Sequence, residues 1–215
     1  MWDKYQKTID SEVNFSGIGL HSGAKVDVTL VPANSNSGVI FKRTDLEKDN
    51  EIVANFKNVS SAKLCTKIQN NSGVNVSTIE HLLAAFYICG IDNIIVNLNG
   101  PEVPIMDGSA KEFVKIIKVA GLKTLEGKRK FVRFKKSVEL KKEDGRTISV
   151  KPSSQTFDVK FTLNYKKNPL IKTQINKINF VEKNLEEIIN ARTFCLYEDI
   201  EMIKSMGLAK GGSLD

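Results

Sequence analysis

Ser77-Thr78-Ile79-Glu80-His81-Leu82-Leu83-Ala84-Ala85-Phe86 decides how this chain is read, because it sets a carboxylate beside one of only two histidines where a helix should start. Ser77 followed three residues later by Glu80 has the form of a capping box, which predicts a helix from about Thr78. Ile79, Leu82, Leu83 and Phe86 recur at the spacing of a buried stripe, and Cys89-Gly90 supplies a stop. His81 flanks that stripe. Neighbouring helical residues point about 100° apart, so Glu80 and His81 cannot share one bond but can line one cavity. Two readings stand on these residues alone. One is a helix cap beside a hydrogen-bonded core histidine; the other is a ring nitrogen holding a metal next to a carboxylate that moves a proton. Position 85 is Ala85, so the two-histidine helix of metalloproteases is excluded.

At 215 residues the chain can form one large domain or two small ones, each able to bury a core. Its 41% hydrophobic and 27% charged residues place it among globular proteins. No charged-then-apolar leader opens Met1-Trp2-Asp3-Lys4-Tyr5-Gln6-Lys7, and no apolar run reaches the ~20 residues of a membrane span, so a cytoplasmic location is expected. Cys65, Cys89 and Cys195 are too few and too scattered for a disulfide framework or a four-cysteine metal site, and read as reduced thiols. The net charge is +7, with thirteen Lys and Arg against four Asp and Glu between positions 115 and 151. Such a patch attracts phosphate. It carries no aromatic ladder or nucleic-acid motif, and a solvated linker with outward strand faces accounts for it.

Strands are expected at Val13-Asn14-Phe15, Lys25 to Leu30, Val39 to Arg43, Ala62 to Ile68 and Asp92 to Leu98, from alternation of apolar and polar residues or from apolar enrichment. Gly17-Ile18-Gly19-Leu20-His21-Ser22-Gly23 is a turn-forming loop without the Lys-Ser/Thr ending of a phosphate loop. The two prolines of Gly100-Pro101-Glu102-Val103-Pro104 forbid regular structure. Ser109 and Glu112 repeat the capping-box form before a second helical stripe that ends at Gly121, and Asp107 reads as a turn residue without chemistry. Thr124 to Lys130 reads as a charged connection. Beyond it come a hairpin around Asp144-Gly145, strands at Phe157 to Leu163 and Ile175 to Val181, and helices at Leu185 to Ala191 and Tyr197 to Met206. The class is α+β. Two similar sheet-plus-helix halves are expected, 1–125 and 126–215, the second lacking its closing strand and helix.

Ser77-Thr78-Ile79-Glu80-His81-Leu82, Gly90-Ile91-Asp92-Asn93 and Gly100-Pro101-Glu102-Val103-Pro104-Ile105-Met106-Asp107-Gly108-Ser109-Ala110 closely resemble the UDP-3-O-acyl-N-acetylglucosamine deacetylase family. Gly17 to Gly23 and Ala191-Arg192-Thr193-Phe194 agree with it, so the resemblance runs in order through the chain. It implies a zinc-dependent amidohydrolase of lipid A synthesis in Gram-negative bacteria, with Zn2+ as cofactor and UDP-3-O-acyl-N-acetylglucosamine as substrate. By the same resemblance His81 is a zinc ligand, Glu80 the base and Thr193 the hydroxyl that steadies the oxyanion. Leu20 and Cys65 would line the substrate passage, Phe194 would pack on substrate, and Tyr165 would stand near the nucleotide. On their own residues these five read equally as loop, strand, core or capping positions.

In that family the chain runs on past the point matching Asp215 and carries the remaining zinc ligands and a general-acid histidine. His21 and His81 are the only histidines here, so the resemblance implies a truncated member with weak or absent activity. An unfinished second half would leave apolar surface open to self-association. Two other classes are kept: a non-catalytic nucleotide-sugar or acyl-chain binder, and a basic nucleic-acid-binding module. Stable membrane insertion is not expected.

Overall fold

The alternation along Lys25 to Pro32 puts Val26, Val28 and Leu30 on one face, and these side chains are buried on a five-stranded sheet. A computed structural model describes residues 3–153, 157–166, 168–180 and 185–212. In chain order it contains β1 (Tyr5–Ile9), β2 (Val13–Ile18), β3 (Lys25–Pro32), β4 (Val39–Arg43), β5 (Glu51–Val53), β6 (Val59–Ser61), β7 (Lys67–Gln69) and β8 (Asn75–Val76). Then follow α1 (Glu80–Cys89), β9 (Ile94–Leu98), α2 (Lys111–Ala120) and β10 (Leu122–Lys128). The rest holds β11 (Val138–Lys141), β12 (Thr147–Val150), β13 (Asp158–Tyr165), β14 (Lys172–Asn179), α3 (Glu186–Asn190) and α4 (Ile200–Ser205). The fold is α+β.

The main sheet has the order β2-β3-β9-β4-β5, antiparallel except for β4 beside β9. β9 repeats the period of two: Ile94, Val96 and Leu98 face the core. α1 and α2 pack on one another and contribute Ile79, Leu82, Ala85, Phe86, Phe113, Val114 and Ile117 to the same core. A small sheet β6-β7-β8 leads into α1, and β1 pairs with β10. Contacts gather Lys4–Lys128 with Glu186–Asp215 into one compact unit, and Met1–Asp3 with Arg129–Leu185 into another. The second unit holds two hairpins, β11-β12 and β13-β14, with no helix among its described residues. The segment after position 185 therefore packs with the first unit, although the strands before it in sequence belong to the second.

Several expectations are corrected. α1 begins at Glu80, not Thr78, and Ile79 at its start has no side-chain cap bond. The capping box does not form: Ser77 Oγ donates to the Pro101 carbonyl at 3.2 Å, while Glu80 turns to another segment. Gly90 ends the helix with φ 73°, in the left-handed region that glycine tolerates. At α2, Ser109 Oγ accepts the Lys111 N–H at 3.1 Å, but Glu112 pairs with Lys115 rather than reaching back. Ala62 to Thr66 is not strand; it is the irregular link between β6 and β7, with Leu64 at φ 63°. Thr124 to Lys128, expected as a connection, lies in β10 because a partner from the chain's beginning pairs with it. The expected strand end at Val181 lies outside the described residues.

Candidate active site

Glu80 opens α1 and its carboxylate is half-buried, accepting the backbone N–H of Thr66 at 3.0 Å. That bond ties the carboxylate to the link carrying Cys65. His81 is also half-buried. Burial pushes its imidazole below the ordinary value, against the pull of the neighbouring Glu80 and Asp107 carboxylates. That shift favours the neutral ring, the form that can accept a proton or bind a metal. Cys65 is a free, half-buried thiol; burial raises it, hydrogen bonding with Thr78 lowers it, and Glu80 and Glu102 add to the rise.

The turn before α1 is held in an unusual conformation. Thr78 has φ 58° although it is β-branched, and it is buried. Its hydroxyl donates to Glu102 Oε1 at 2.8 Å. Ser77 N–H donates to the Pro101 carbonyl at 2.9 Å, and Val103 N–H to the Ser77 carbonyl at 3.0 Å, so the irregular proline segment runs beside this turn. Met106, at φ 54°, precedes Asp107, whose carboxylate accepts from Ser109 N–H at 3.0 Å and Ser109 Oγ at 2.7 Å. Burial would raise Asp107, but the Ser109 bonds, Arg192 and Lys111 bring it below the usual carboxylate range. Read from sequence as a bare turn residue, Asp107 also acts electrostatically on His81.

Thr193 comes into this neighbourhood through its backbone: its N–H donates to the Gly108 carbonyl at 2.9 Å, beside Asp107. Arg192 Nε donates to the Asp107 carbonyl. The Thr193 and Phe194 side chains are exposed. Leu20 is half-buried in the glycine loop, where its carbonyl accepts the N–H of Gly211 at 3.0 Å. Tyr165 ends β13 in the other unit and is exposed. Sequence reading passed over Glu102, Thr78 and Asp107; the Gly-Pro-Glu-Val-Pro and Met-Asp-Gly stretches were the available signal, since irregular backbone around a carboxylate needs specific donors.

A catalytic zinc takes about three protein ligands. Among the described residues there is no group of three or more His, Cys, Asp or Glu able to hold a metal ion. His81 can offer one nitrogen, so the residues here do not by themselves make such a centre. Among the described residues, no helix is long and apolar enough to cross a membrane.

The family model described as UDP-3-O-acyl N-acetylglycosamine deacetylase matches residues 6–215. The chain is similar to a UDP-3-O-acyl-N-acetylglucosamine deacetylase of Haemophilus ducreyi, 41% identical over 214 residues, covering 98% of this chain and 69% of that protein. The protein of that name from Sodalis glossinidius is 43% identical over 213 residues, with 98% and 69% covered. In Geotalea uraniireducens the identity is 43% over 212 residues, with 98% and 68% covered. With nearly all its length matched and its motifs in order, the chain belongs to the UDP-3-O-acyl N-acetylglycosamine deacetylase family.

Proposed function

We propose that this chain hydrolyses the acetamide of UDP-3-O-acyl-N-acetylglucosamine, releasing acetate and a free amine, a step of lipid A synthesis that takes place in the cytoplasm. The observation that carries this reading is the tethered Glu80 carboxylate next to the half-buried His81, in a chain matched to the family over residues 6–215. Glu80 accepts the proton of the water that attacks the carbonyl carbon. Thr193 is the hydroxyl that steadies the developing oxyanion. Leu20, Cys65 and Phe194 contact the acyl-sugar part of the substrate, and Tyr165 contacts the nucleotide. In this reading, stretch 1–125 supplies Leu20, Cys65, Glu80 and His81, and stretch 126–215 supplies Tyr165, Thr193 and Phe194.

Zn2+ belongs to the same reading, with His81 as one ligand, and the described residues offer no group of three metal-ligating side chains around it. Weak metal retention and slow turnover follow for the 215-residue chain. The test combines metal analysis, binding of UDP-3-O-acyl-N-acetylglucosamine and acetate release. Substrate binding with slow, Glu80-dependent release supports the proposal. Failure to bind the sugar nucleotide, or release indifferent to Glu80→Gln, rejects it. Stoichiometric zinc with fast turnover would reject the missing-ligand account.

That no group of three metal-ligating side chains is found among the described residues favours one second reading, a non-catalytic nucleotide-sugar or acyl-chain binder. In that case Glu80→Gln leaves affinity intact, and neither chain releases acetate.

A further inference from the structure

The roles above leave out one fully buried carboxylate. Glu102 is 1% exposed, in the irregular segment between β9 and α2. A carboxylate so placed is costly unless its lone pairs are filled. His21 N–H donates to Oε1 at 2.9 Å, Ser22 N–H to Oε2 at 2.7 Å and the Thr78 hydroxyl to Oε1 at 2.8 Å. None of these donors is a cation. Burial would raise Glu102, yet hydrogen bonding from the His21 backbone, the Ser22 side chain and backbone, and the Thr78 hydroxyl outweighs it and holds the group below the usual carboxylate range.

These donors belong to two segments far apart in sequence. The glycine loop carries His21, a buried imidazole with neither ring nitrogen hydrogen-bonded. The other segment carries Thr78 at φ 58°, two residues before Glu80. Gly19 allows the carboxylate to come this close, since a methyl there would collide with Glu102 Oε2 and Ser22 Oγ. Ile105 N–H to the Ile18 carbonyl, at 3.0 Å, keeps the proline segment alongside the same loop.

We propose that Glu102 is a positioning residue of this site, whose carboxylate joins the His21 loop to the Thr78 turn and so sets where the His21 ring and the Glu80-His81 pair face. The inference rests on the reading of Glu80 and His81 as the reacting pair. An amide at position 102 cannot replace the carboxylate: in one orientation its NH2 meets the Ser22 N–H, in the other the His21 N–H, donor against donor.

Glu102→Gln, Glu102→Asp and Thr78→Val in the 215-residue chain test this by NMR at one fixed pH. Two histidines give two imidazole signals. Glu102→Gln should move both signals and speed amide exchange at His21 and Ser22 by roughly tenfold or more, the loss of a hydrogen bond to a charged group. Glu102→Asp, which keeps the charge, should recover part of the signal shift. Thr78→Val removes only the hydroxyl and should move the His81 signal while leaving that of His21; it serves alone if Glu102→Gln does not fold. A lower urea midpoint with both signals unmoved would make Glu102 a contributor to stability alone and overturn the proposal, as would Thr78→Val with the His81 signal unmoved. Acetate release is not read here, so loss of the deacetylase reading and loss of this one are separate outcomes.

Discussion

The carboxylate of Glu80 accepts the backbone N–H of Thr66 at 3.0 Å, joining the first residue of α1 to the irregular link between β6 and β7. The carboxylate proposed to accept a proton is thus oriented by a main-chain donor, which no side-chain substitution at position 66 removes except proline. Thr66→Pro should free the link and raise the labelling rate of Cys65 by about tenfold, given a charged-group hydrogen bond of ~1.5–3 kcal/mol. Thr66→Ala keeps the donor and should leave the rate unchanged. Peptide mapping separates Cys65 from exposed Cys195 and from Cys89, whose thiol burial pushes up to about 11. An unchanged Cys65 rate in Thr66→Pro counts against the tether.

Glu80→Gln tests the proton-acceptor role directly. Removal of a general base typically costs ~10²–10⁴ in rate. Acetate release should fall by that factor, with sugar-nucleotide affinity within about twofold. A fall in affinity that matches the fall in rate would assign Glu80 to substrate binding.

Acid should weaken the fold through Glu102. Its folded-state value lies below the ordinary 4.5 of a glutamate, so the unfolded chain takes up the proton first as pH falls. The stabilisation is present above about 4.5 and is lost as pH drops through the lower folded value. Asp45 adds the same sign, because the Arg43 guanidinium 2.6 Å away holds it low. Urea midpoints should begin to decline below about pH 6.5, where the lowered His81 contributes the same sign, and decline further in the carboxylate range, where the decline in Glu102→Gln is shallower. Equal slopes would remove Glu102 from this effect.

Phe86, on α1, is buried in the same core cluster as the inward residues of the main sheet. Phe86→Ala should lower the unfolding free energy by ~3–5 kcal/mol through lost burial and a cavity. Urea denaturation measures it; a loss under ~1 kcal/mol would mean the core closes over the gap.

Within 129–185, Val132 is 87% and Leu170 90% exposed, alongside exposed Phe131, Phe134, Phe161 and Ile175. Apolar surface of this extent favours association. Sedimentation of the 23.9 kDa chain should show species larger than a monomer as concentration rises, and their dispersal on substituting Val132 and Leu170 with Asp. A monomer at all concentrations would refute self-association.

Local patterns were legible without coordinates. The alternation in β3 and the stripe of Ile79, Leu82 and Phe86 depend on which face of a strand or helix meets the core, and that is written in adjacent residues. The motif that sets Glu80 beside His81 was also legible, because it is contiguous in sequence. Tertiary structure decided what lies between distant segments: β4 parallel beside β9, β10 paired with β1, Ser77 bonded to Pro101 instead of capping, and Glu102 gathering His21, Ser22 and Thr78. The physical reason is that a buried donor or acceptor takes whichever partner the packed chain brings within bonding distance. A short stretch of sequence specifies its own periodicity but not the identity of a partner 81 positions away, as Glu102 is from His21.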